Sequence, residues 1–152
     1  MNNRKYFRHA VASALVLITT SPNIWAAEVS GADLFTNTCA ACHGDAGVGI
    51  PGLAPPLQNA ELWERLGSKG NEYIAGVMTA GLSGTITVDG IKYQAMVMPP
   101  QSMVESEELV KIAEYVLTTL NGSDAVPDIA LIDKLKVTPL SHKELRAIRE
   151  QK

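Results

Sequence analysis

Apolar residues along this chain recur at helical spacing in short blocks, each bounded by its own start and stop signals. Ser30 with Asp33 reads as a capping pair that opens a first helix running to about Ala41. Within it Gly31, Phe35 and Cys39 fall four apart on one face. Asn59 is placed to cap a short helix through Leu62, Trp63 and Leu66. Asn71 is placed to cap another, in which Tyr73, Ile74, Val77 and Met78 keep the helical period and Gly81 ends the run. The period then switches to two. Residues 85–88 and 91–93 alternate about Asp89-Gly90, the turn pair of a small β-hairpin. Ser106 caps the last main helix, where Glu107 and Glu108 suit the positive end of the helix dipole. Leu109, Ile112, Ala113, Val116 and Leu120 form its stripe, and Asn121-Gly122 stops it.

From Ser123 onward the pattern changes. Pro127 and Pro139 bracket a short amphipathic piece from Ile129 to Leu135, and Ser141 with Glu144 starts a last helix from Lys143 to Glu150. Because Ile129, Leu131, Ile132 and Leu135 need burial, residues 123–152 read as a strap on the domain in preference to a docking arm. The opposite end has a different character. Arg4, Lys5 and Arg8 precede an uncharged apolar run from Ala10 to Ile18, and Ile24-Trp25-Ala26 offers a small residue for cleavage. That run is far short of the roughly 20 residues a membrane-crossing helix needs. Residues 1–26 therefore read as a secretory signal, and residues 27–122 as the single domain.

Composition sharpens this picture only slightly. A chain of 152 residues, 46% hydrophobic and 19% charged, suits one soluble domain with a real core. Aromatic content of 5% is low, and a large flat apolar cofactor would make up part of the deficit. The whole chain has 13 Lys+Arg against 16 Asp+Glu, and the signal carries three of the basic residues and no acidic one. The mature protein is thus acidic, with a net charge of about −6. Nothing in it forms a basic patch for nucleic acid or anionic lipid, and no stable membrane insertion is expected after cleavage.

The two cysteines carry the chemistry. They stand at Cys39-Ala40-Ala41-Cys42 with His43 next in line, the attachment signature for c-type haem. Two thiols three residues apart on one helical turn can each add to one vinyl group of a haem edge, and the adjacent imidazole then lies under the ring and binds iron. A thioredoxin-like pair would need a βαβ pattern that the flanks lack, and a zinc site would need more ligands than the sequence supplies. A disulfide across so small a loop would stabilise little.

The iron's other face draws on Met78, Met96, Met98, Met103 and His142. Met78 reads as helix core. Met98 is the leading distal ligand because Pro99-Pro100 stiffen the loop that follows it; Met96 is the alternative. The remaining methionines are expected to pack against the haem edge. His43 also needs its second ring nitrogen held, and the backbone carbonyl of Pro55, in the Gly/Pro-rich stretch 44–56, is the candidate acceptor.

Taken together, Gly31, Phe35, the Cys39–Gly44 motif, Pro55, Met98-Pro99, Ile112 and Tyr115 resemble the class I cytochrome c family over about residues 28–122. The resemblance implies an all-α fold of about four to five helices around one covalent haem c with its iron, and a β-hairpin before the axial methionine loop. It also implies that Gly31 and Phe35 pack against Ile112 and Tyr115. The stretch from Gly81 to Tyr93, running into Met98-Pro99-Pro100, is more similar to a bacterial subgroup. That subgroup includes haem subunits of quinoprotein alcohol dehydrogenases and small cytochromes serving periplasmic reductases. The implied role is a periplasmic electron carrier, not an enzyme, whose redox partners are a dehydrogenase, reductase or oxidase. Two other readings stay open: a haem enzyme or gas sensor with an open sixth position, and a fixed electron-transfer subunit of a larger complex. Met96 and the tail after Gly122 depart from the family pattern.

Overall fold

In the computed structural model, residues 28–94 and 97–151 are described. The expected signal segment and Met96 lie outside the described residues. Helix α1 (Gly31–Thr38) opens on Ser30, whose hydroxyl accepts from the Asp33 amide. It breaks at Cys39 before one further turn, α2 (Ala40–His43), so the expected continuous helix to Ala41 is two pieces. Helix α3 (Ala60–Leu66) begins where Asn59 caps the Leu62 amide. The next helix, α4 (Gly70–Ala80), starts ahead of Asn71, because a 3₁₀ turn at Gly67–Lys69 feeds straight into it. Asn71 is an internal residue of α4, where its side chain meets only the next amide.

Strands β1 (Leu82–Ser83), β2 (Ile86–Val88), β3 (Ile91–Tyr93) and β4 (Val97–Met98) follow. The hairpin β2–β3 turns on Asp89 and Gly90, both at positive φ, the geometry its sequence demands. The methionine segment, expected as a loop, is itself a strand: β4 pairs antiparallel with β1, setting Leu82 opposite Met98. Backbone pairing thus adds to the stiffness the prolines give.

Helix α5 (Ser106–Glu114) packs against α1. The expected stripe holds there, with Leu109, Ile112 and Ala113 buried. The approach is close enough that a Cβ on Gly31 would collide with the Lys111 carbonyl oxygen. Beside it the Phe35 and Tyr115 rings lie 5.4 Å apart at 54°. Ser106 is the first residue of α5 and does not cap it; its hydroxyl donates to Asp133 at 2.5 Å. After Glu114 the helix widens into a π turn, Tyr115–Thr119, and the Leu120 amide reaches back to the Tyr115 carbonyl. That leaves the Val116 carbonyl free to accept from the Asn121 side chain at 2.7 Å. Asn121 does more than end a helix: it also donates to Leu57 O and accepts from the Asn59 amide.

Helix α6 (Ile129–Val137) packs on α4 and α5, and helix α7 (His142–Arg149) on α4, α3 and β1. Ile132 and Leu145 are completely buried, whereas Ile129 is exposed. The Ser141–Glu144 capping box forms as expected, and α7 runs from His142.

Candidate cofactor site

One wall of the site is the break between α1 and α2. The Cys39 amide still bonds the Phe35 carbonyl at 2.8 Å, and the His43 amide bonds the Cys39 carbonyl at 3.0 Å. Both thiols and the imidazole therefore sit on one tight turn. Cys39 is half-buried, Cys42 is exposed, and the thiols are not joined. Burial, and secondarily the neighbouring Cys42, push the Cys39 thiol up to about 11.

His43 is buried, and its Nδ1 lies 3.2 Å from the Pro55 carbonyl oxygen. A carbonyl only accepts, so Nδ1 carries the hydrogen and Nε2 keeps a free lone pair. Burial lowers the affinity of the ring for a second proton, partly opposed by the Pro55 bond. Burial thus favours the neutral ring, the form that a metal ligand takes. The loop that delivers Pro55 folds back through Gly49, whose amide meets the His43 carbonyl at 2.6 Å. Gly49 has φ +80°, and a Cβ there would stand 2.5 Å from the Pro56 nitrogen. Only glycine lets the two segments close in this way.

The opposite wall is the β1–β4 pair. Met98 is half-buried there, and the segment after it is tied down by the Gln101 amide bonding Met78 O at 2.7 Å. The tail reaches this wall too. His142 bonds the Ser83 hydroxyl through one ring nitrogen and the Ala80 carbonyl, at 3.2 Å, through the other. Arg146 bonds the Ser83 carbonyl. With both nitrogens occupied and no place on the cavity wall, His142 is not brought to the site. Met103, expected against the haem edge, is 94% exposed among the described residues. Met78 is buried in the core and reaches the cavity from α4.

Between the two walls lies a cavity of about 300 Å³. Cys39, Cys42 and His43 of the α2 turn line it together with Leu82, Met98 and Pro99 of the β1–β4 region, while Phe35, Trp63, Ile74 and Ile112 contribute apolar surface. This donor set suits haem: two thiols and an imidazole on one turn, with a thioether in the same apolar lining. Among the described residues no group of three or more His, Cys, Asp or Glu is arranged to hold a bare metal ion.

The family model described as cytochrome c matches residues 29–120. The chain belongs to the cytochrome c family. Two relatives from Thermus thermophilus, each named cytochrome c-552, are similar to it. One is 31% identical over 128 residues, covering 83% of this chain and 78% of the relative. The other is 31% identical over 127 residues, covering 82% and 88%. This cytochrome is a class I, monohaem c-type protein whose cofactor is haem c with its iron, and it acts in electron transfer with redox partners. No helix among its described residues is long and apolar enough to cross a membrane.

No pattern in the chain points to Arg149, which lines the cavity of this cytochrome. It falls in a short helix rich in both charge signs, and only its meeting with Tyr73, 76 residues earlier, marks it out.

Proposed function

We propose that this cytochrome is a single-haem electron carrier of the periplasm, with iron held between His43 and Met98. Haem, when bound, supplies a one-electron couple at its iron. Cys39 and Cys42 would hold it by thioether links, and the Pro55 carbonyl would fix the His43 ring so that Nε2 meets the metal. Met98 would complete the coordination; a thioether opposite an imidazole raises the reduction potential relative to two nitrogen ligands.

The observation that supports this reading is that the buried His43, its Nδ1 held by the Pro55 carbonyl, and Met98 line one largely apolar cavity. Leu53 and Val97, which line the cavity, are exposed. Such exposure suits brief contact with a dehydrogenase, reductase or oxidase, since redox encounters bury little surface. Residues 1–26 would direct export and be removed, and residues 123–152 would act as a strap.

Optical spectra of the purified holoprotein test the reading. It requires low-spin oxidised and reduced forms, a far-red methionine–iron charge-transfer band, and no rapid binding of carbon monoxide by the reduced form. A high-spin ferric spectrum with rapid carbon monoxide binding would instead establish an open sixth position, as in a haem enzyme or gas sensor. Purification in a fixed ratio with an oxidoreductase would establish a permanent subunit.

A further inference from the structure

Arg149 is the one side chain with a permanent charge among the described residues lining the cavity, and no Asp or Glu contributes to that lining. Its guanidinium carbon lies 5.9 Å from the centre of the Tyr73 ring, and one terminal nitrogen is 3.2 Å from the Tyr73 hydroxyl. Tyr73 in turn packs 6.0 Å, ring to ring, from Trp63. The end of α7 that presents Arg149 is fastened from behind. Arg65 of α3 donates to the carbonyls of Arg149 and Gln151, each at 2.7 Å.

The ion pairs among the described residues are Lys69–Glu72 and Lys111–Glu28, and neither involves Arg149. A half-buried guanidinium set at an apolar wall without a counter-charge is costly unless an anion joins it. Its planar fork matches a carboxylate better than any other side chain does. Haem carries two propionate carboxylates into whatever cavity it fills.

We propose that Arg149 binds a haem propionate. Arg149 lies beyond residues 29–120, the span matched by the family model, so the contact would be made by the tail and not by that span. It gives α7 a purpose at the cofactor: a fixed cation there opposes the extra positive charge of the oxidised centre and favours reduction.

The test is redox titration of the purified holoprotein and of three variants, R149K, R149Q and R149M. Covalent attachment lets each be examined with its haem in place. The potential should follow charge and not shape. R149Q and R149M should each lower the equilibrium constant for reduction by about tenfold, equal to about 59 mV for a one-electron couple. R149K should stay within about twofold of the parent. If all three variants shift alike, or none shifts, Arg149 acts only as packing for Tyr73 and the proposal is overturned. The inference rests on the haem and not on Met98, so the two readings fail separately: the parent's spectrum judges Met98, and the potentials judge Arg149.

Discussion

His43 Nδ1 lies 3.2 Å from the carbonyl oxygen of Pro55, twelve residues further along the chain. The loop between them exists to bring that oxygen into place, and Gly49 is its tightest point. Replacing Gly49 with Ala should force Pro55-Pro56 outward and loosen the ring. The left-handed φ adds strain to the collision, for a cost of about 1–3 kcal/mol. Denaturant unfolding of the holoprotein would measure it. A midpoint equal to that of the parent would show that the loop moves freely and that the carbonyl contact is dispensable.

Met98→Ala should keep covalent haem, lose the far-red band, admit carbon monoxide and lower the potential. If Met96→Ala did this and Met98→Ala did not, the ligand is the other methionine. Cys39→Ala and Cys42→Ala should instead reduce the yield of attached haem, read as absorbance per mole of protein.

Asn121 joins three segments through one amide: the α3 start, the Leu57 carbonyl and the Val116 carbonyl. Asn121→Ala would leave partly buried partners unpaired, and a loss of about 1–3 kcal/mol is expected by denaturant unfolding. A change of a few tenths would mean that water replaces the amide at all three points.

The capping box of α7 makes stability depend on acid. Hydrogen bonds from the Ser141 hydroxyl, and then from its backbone amide, hold the Glu144 carboxyl below its ordinary value. The folded state therefore binds its proton less readily than the unfolded state. The stabilisation is fully present above the ordinary carboxylate range and fades as pH falls through the lower, folded value. Ser141→Ala should lower the melting temperature near neutral pH and do so less at about pH 3. Equal losses at both would show that the carboxylate plays no part.

Local features of this fold were legible in the chain because their causes are local. The Asn59 cap, the Asp89-Gly90 turn, the Ser141–Glu144 box and the Cys39–His43 turn each depend on residues within a few positions of one another. What escaped reading depends on distant partners. Ser106 looks like a cap until Asp133, 27 residues on, takes its hydroxyl. Asn71 is the exception, missed although its cause is local: the 3₁₀ turn just before it extends the helix backward. The methionine strand needs β1 for its definition, and Arg149 needs Tyr73. The presence of His43 and Met98 at one cavity lies between these cases, since the residues announce themselves but only folding brings both to its lining.

The π turn at Tyr115–Thr119 amounts to one residue more than a regular helix would use. An extra residue rotates everything after it by about 100° around the helix axis. Tyr115 can therefore face α1 while Asn121, on the same rod, faces the start of α3. Excising a single residue from that turn would straighten the rod and swing the amide away from Asn59. Here the direction of a side chain is encoded by chain length, and no change of residue type alone would supply it.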